Sequence, residues 1–213
     1  MSTARTIIRG EGEGERLWFA GGGVHIWKAT AEETDGAFLL VEDRMTQGKT
    51  TPLHTHPNLD ETLIVLEGEI LVYAEGREHR VGPHGVAVAP RGDAHAFMVT
   101  SESALILFLQ TPGNGEAFYR DASEPSTDET DAERPPDLDL LQASAERHPD
   151  IIEILGPPPF EVAKEGAATA GSYGESLASN DMLKEPGFCS PGSLLRLFPC
   201  PVPELLIGNR SPI

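Results

Sequence analysis

Between Val24 and Thr111 the chain is a succession of short apolar runs separated by polar punctuation. "VHIWKAT", "AFLLVED", "TLIVLEG", "EILVYAEG", "GVAVAP", "HAFMVT" and "ALILFLQTP" follow one another, with Gly, Pro, Asp and Glu between them. Such runs, rich in β-branched and aromatic residues and recurring every ~8–12 residues, predict an all-β sandwich or barrel. In "EILVYAEG", Ile70 and Val72 alternate with Leu71 and Tyr73, so both faces of that strand are partly apolar. A barrel wall packed inside and covered by a partner outside has this pattern. "EGE" at 67–69 and "EGR" at 75–77 read as tight hairpin turns.

On either side the pattern changes. Residues 1–23 are rich in Gly and Glu and are expected to form a flexible arm, with the barrel at 24–120. The stretch 121–160 reads as an acidic connector, a helix and a closing segment. Within it, "PDLDLLQASAERH" places Leu138, Leu141 and Ala145 at helical spacing, with acids in front and Arg147 and His148 behind. Residues 161–213 are poor in periodicity and rich in Gly, Ser and Pro, and are expected to be an irregular or disordered tail.

Charge narrows the choice of partners. Asp and Glu number 34 against 16 Lys and Arg, a formal charge of −18. No basic stripe is available for nucleic acid or for an anionic membrane surface. No apolar run has the length of a transmembrane helix, and the first residues lack the apolar core of a signal peptide. The expectation is a soluble, cytoplasmic protein. Its two cysteines, Cys189 and Cys200, are expected to be reduced there. The apolar edge strands and the N-terminal arm suit pairing with a second copy as a homodimer.

The chemistry concentrates in "TPLHTHPNLDETLIVLEGE". His54 and His56 stand at i and i+2, so on a strand both point to one face. Glu61 opens the next run, and His95 opens a later one after "PRGDA". Three imidazoles and a carboxylate on facing elements make a mixed N/O donor set. It suits one divalent transition metal: Fe(II), Mn(II), Co(II), Ni(II) or Cu(II), with Zn(II) also admitted. His84 sits in the turn "GPHG" and is read as exposed, while His25 and His79 are read as structural. Phe97, Met98, Phe108 and Leu109 are the residues expected to line the barrel, and whichever face inward would form an apolar pocket. No nucleophile elbow, P-loop or dinucleotide fingerprint is present in the sequence.

The spacing also carries a resemblance. Gly48, five residues, His54-Thr-His56, four residues, Glu61, six residues and Gly68 reproduce the first motif of the cupin superfamily. Pro90-Arg-Gly92-Asp-Ala-His95 matches the later half of the second motif, which departs at His84-Gly85 and at Val99. Over about residues 36–112 the chain therefore resembles a cupin, and within that superfamily it is similar to short bacterial single-domain members related to quercetin dioxygenases. The resemblance implies a jelly-roll β-barrel with a short C-terminal helix, and a metal held by His54, His56, Glu61 and His95. It also implies dioxygen and a small apolar or aromatic substrate as partners, with flavonol ring cleavage and loss of carbon monoxide as the reaction. Glu61 would be the general base. Two other readings stay open: a metal-dependent isomerase or polyketide cyclase that consumes no oxygen, and a non-catalytic small-molecule-binding barrel.

Overall fold

The structure is a computed structural model that describes residues 5–160. The expected tail at 161–213, with Cys189 and Cys200, lies outside the described residues. The described residues contain twelve strands: β1 (Glu15–Phe19), β2 (Val24–Ala29), β3 (Leu39–Thr46), β4 (Leu53–Thr55), β5 (Asp60–Glu67), β6 (Ile70–Ala74), β7 (Arg77–Val81), β8 (Val86–Ala89), β9 (His95–Val99), β10 (Ser103–Thr111), β11 (Ser123–Pro125) and β12 (Glu153–Gly156). Among the described residues two α-helices follow the main run of strands, α1 (Glu116–Asp121) and α2 (Leu138–Arg147). The strands form two antiparallel sheets, in the orders β11-β1-β2-β3-β10-β5-β8 and β12-β4-β9-β6-β7. This is the all-β jelly-roll architecture expected from the sequence. No described helix is long and apolar enough to cross a membrane.

Period-two alternation sets the inner face. In β5, Glu61, Leu63 and Val65 are buried while Thr62 and Ile64 are only partly so. In β10, Ala104, Ile106, Phe108 and Gln110 point inward, and in β3 Leu39, Val41, Asp43 and Met45 do. Most of these apolar residues join Ile70, Val72, Phe97 and Val99 in one core between the sheets. The opposite faces of β6 and β9 bury Leu71, Ala96 and Met98 against Phe160, which is fully covered. The outer cover foreseen for β6 is thus at least partly this chain's own residue.

Two local expectations need correction. The second half of the supposed arm contains β1, which pairs with β2 and β11 and buries Leu17, Trp18 and Phe19. Three consecutive apolar side chains outweigh the loose Gly/Glu composition around them. The other concerns "EGE", which does not close a hairpin: β5 and β6 belong to different sheets, and this turn carries the chain between them. The turn at Glu75-Gly76 does join a true hairpin, β6–β7, with both residues at positive φ.

The two turns make a test. Gly68 and Gly76 have nearly the same φ, +76° and +77°. A Cβ on Gly68 would collide with the Ser103 carbonyl oxygen, whereas one on Gly76 meets nothing. Gly76→Ala is expected to cost about 1–2 kcal/mol, and Gly68→Ala about 2–5 kcal/mol, measured as shifts of the urea midpoint. Equal losses would show that the crossing turn has room to relax.

Candidate metal centre

The two sheets bring the four donors foreseen from sequence to one place. His54 lies on β4 directly opposite His95 on β9. His56 follows the end of β4, and Glu61 faces inward from β5 on the opposing sheet. One ligand atom from each of the four lies within 4.8 Å of all the others, and all four residues are buried.

Short local ties hold this register. The turn before β9 is fastened to the β4–β5 segment by the Gly92 N–H donating to the His56 carbonyl at 2.9 Å. Beside it, Arg91 grips Asp60, the neighbour of Glu61, through two guanidinium bonds of 3.0 and 2.8 Å.

Each histidine is oriented by a backbone carbonyl. His54 Nδ1 lies 2.9 Å from the Pro52 oxygen, His56 Nδ1 2.8 Å from that of Ile151, and His95 Nδ1 2.9 Å from that of Asp93. A carbonyl only accepts, so each Nδ1 carries the proton and donates it. That leaves Nε2 of each ring on the side facing the cluster, where it carries a lone pair whenever the ring is neutral. His56 Nε2 is buried without a hydrogen-bond partner among the described residues. An orphaned buried nitrogen beside two others of like orientation is a costly arrangement for a protein alone, and it fits a cation.

Glu61 is the buried charge of the site. Its Oε2 lies 3.3 Å from His95 Nε2, and its Oε1 accepts from Gln110 Nε2 at 3.0 Å and lies 3.4 Å from the Tyr119 hydroxyl. Burial works to raise its pKa, but the His56 and His95 imidazoles outweigh burial and hold it well below the usual carboxylate range. Burial, then repulsion from His95 and His56, takes His54 down to about 3, so this ring stays neutral. Burial and the nearby Glu61 charge push the Tyr119 hydroxyl well above its ordinary value.

The centre opens on a cavity of about 70 Å³, walled by Phe19, Phe97, Ile106, Phe108 and Phe118, with the half-exposed Leu138 also in its lining. Phe97 and Phe108 thus meet the expectation of lining residues, whereas Met98 packs on the other side of its sheet. At the far end of the cavity stand His25, Asp43 and Lys49. Lys49 Nζ pairs with Asp43 Oδ2 at 2.7 Å, and His25 Nε2 is 3.6 Å from the same oxygen. His84 is exposed in its turn, and His79 is exposed on β7.

Residues 41–110 match the cupin domain family. They form a cupin domain. Quercetin 2,3-dioxygenase of Bacillus subtilis (strain 168) is 29% identical over 114 residues, covering 54% of this chain and 34% of the relative. The match spans about a third of that relative's length. Among solved structures, a sugar phosphate isomerase of the cupin superfamily from Silicibacter pomeroyi is 23% identical, with a TM-score of 0.44, over 49% of this chain and 74% of that one. A predicted oxalate decarboxylase from Thermotoga maritima is 19% identical, also with a TM-score of 0.44, over 51% and 99%. The cupin domain of this chain resembles the quercetinase-like members of the superfamily.

Sequence reading of the cupin domain passed over Gln110, Tyr119, Asp43 and Lys49. For Gln110 and Asp43 the signal was present, since both are polar residues on the inward parity of apolar strands. Asp43 also predicts a pH dependence. Burial raises its carboxyl pKa, but the Lys49 charge, with the His25 imidazole beside it, outweighs burial and holds it below its ordinary value. A depressed carboxyl stabilises the fold fully above the unfolded-state value, and that contribution is lost as pH falls below about 4. Between pH 5 and pH 2 the wild type should lose stability more steeply than an Asp43→Asn/Lys49→Met double variant, as read from urea midpoints; parallel curves would contradict this.

Proposed function

We propose that the chain is a metal-dependent dioxygenase acting on an enolisable aromatic such as a flavonol, with quercetinase-like ring cleavage. The observation that carries this reading is the convergence of three buried imidazoles and one buried carboxylate at one end of an aromatic-walled cavity. The partial likeness to quercetin 2,3-dioxygenase supports the substrate class.

In this reading His54, His56 and His95 hold a divalent transition metal through Nε2, and Glu61 through a carboxylate oxygen. The donor set suits Fe, Mn, Co, Ni or Cu, and also Zn. Such an ion, when bound, supplies Lewis acidity that makes an enol or phenol easier to deprotonate. The carboxylate of Glu61 takes that proton, being already ionised and within the same cluster. Gln110 holds Oε1 by its amide and so fixes the carboxylate for the transfer. Phe97 and Phe108 offer ring faces to a planar substrate and keep water from it.

The cavity is smaller than the ~300 Å³ at which small-molecule sites commonly begin. A flavonol-sized substrate therefore enters with a displacement of the lining, in which Leu138 of α2 is half exposed.

Oxygen uptake by the metal-loaded protein, with quercetin and 3-hydroxyflavone offered in turn, tests the reading. Glu61→Gln should keep most of the metal and lose about a hundredfold or more in turnover. Undiminished turnover in that variant would remove the general-base role. Conversion of the substrate without oxygen uptake would replace the dioxygenase with an isomerase or cyclase.

A further inference from the structure

We infer that Lys49, with Asp43 and His25, forms a second polar subsite at the far end of the cavity, one that binds a hydroxyl on the part of the substrate remote from the metal-binding group. This inference rests on the proposed oxygenase reading for the substrate's other end, but its own evidence is separate.

The three residues stand where core side chains belong. Asp43 occupies the inward parity of β3 with Leu39, Val41 and Met45, and His25 faces it across the β2–β3 ladder. All three are at most 9% exposed, yet all three line the cavity. Burying an ammonium, a carboxylate and an imidazole together gains little stability over an apolar core of the same shape, so the arrangement needs another use.

Its hydrogen bonding is incomplete in a directed way. Among the described residues Lys49 Nζ makes one hydrogen bond, to Asp43 Oδ2, although an ammonium has three protons to donate. Asp43 Oδ1 and His25 Nδ1 are buried with no hydrogen-bond partner there. The backbone passes close to the pair without a side chain: Gly23 has φ +92°, and a Cβ on it would sit 2.7 Å from Asp43 Oδ1 and 3.2 Å from Lys49 Nζ, so any larger residue would press on both. The ring faces of Phe19 and Phe97 flank the ammonium, with centroids 5.7 and 5.6 Å away.

These vacant valences select the ligand group. The Asp43 and Lys49 charges cancel, so a further anion would enter uncompensated, and burial keeps His25 from charging to meet it. A neutral hydroxyl has no such cost. It accepts from Lys49 Nζ and donates to Asp43 Oδ1, satisfying both at once. Along β10 Asp43 stands opposite Ile106 and Glu61 opposite Gln110, four residues on, and the Tyr119 ring joins the two ends: its hydroxyl lies beside Glu61 and its ring packs edge-on against His25 at 5.6 Å. The ligand class that spans both ends is a hydroxylated, multi-ring aromatic.

Phenol and toluene, of one shape and differing in the hydroxyl, are the probes, titrated against the full chain by ligand-observed NMR. The wild type is expected to bind phenol at least about tenfold more tightly than toluene. That preference should fall below twofold in Lys49→Met. The Asp43→Asn/Lys49→Met double variant, which leaves no bare buried charge, should behave likewise and guards against a folding defect in the single one. Equal affinities in the wild type, no binding of phenol, or an undiminished preference in the double variant would each overturn the subsite. Oxygen uptake with 3-hydroxyflavone, which lacks the remote hydroxyl, reports on the catalytic reading alone. A phenol preference without uptake keeps the subsite and removes the dioxygenase; uptake without the preference does the reverse.

Discussion

A carboxylate inside an apolar barrel has to be surrounded by donors, and the burial of Glu61 is the constraint on which the rest of the site depends. The ionised group would be expelled from such surroundings if it stood alone. Here it faces His56 and His95 on one side and Gln110 and Tyr119 on the other. The same barrel wall that buries Leu63 and Val65 therefore also carries a charge, and the opposing sheet has to deliver its partners in register. Both sheets are needed for that. Neither holds the site by itself, since Glu61 comes from one and His54 and His95 from the other.

The three imidazoles are oriented by backbone groups rather than by side chains. Carbonyls of Pro52, Ile151 and Asp93 fix the three imidazoles. Two of these lie two residues before the histidine they orient, so the motif spacing brings its own support. The third comes from the segment after α2, which makes the closing part of the chain a structural partner of His56. Asn58 donates to the Asp150 carbonyl nearby and fastens the same junction. Placement of α2 thus bears on the cavity, through Leu138, and on the candidate metal centre, through Ile151.

How far the sequence could be read follows from the range of each interaction. Runs with period two gave the main strands from β2 to β10, and the i, i+2 pair His54/His56 with the later Glu61 and His95 gave the site, because both patterns are local. Strand β1 was hidden by the Gly and Glu around Leu17–Phe19. The sheet exchange at Gly68 was hidden because a tight turn looks the same whether it closes a hairpin or crosses between layers. His56's support from Ile151 spans ninety-five residues and has no local trace. Tyr119, on a short helix behind the barrel strands, is of this kind too. Gln110 and Asp43 are a different case: parity along "ALILFLQTP" and "AFLLVED" places them inward, so a polar residue on a core face was the legible sign.

The central claim is that His54, His56, Glu61 and His95 hold one divalent ion. X-ray absorption on the purified, metal-loaded chain tests it most directly, with the absorber quantified in the same sample. The account predicts one ion per chain, with N/O neighbours at about 2.0–2.2 Å and no sulfur, and the outer-shell scattering of three imidazoles. An ion bound at far below one per chain, or one whose scattering shows no imidazole, would contradict it.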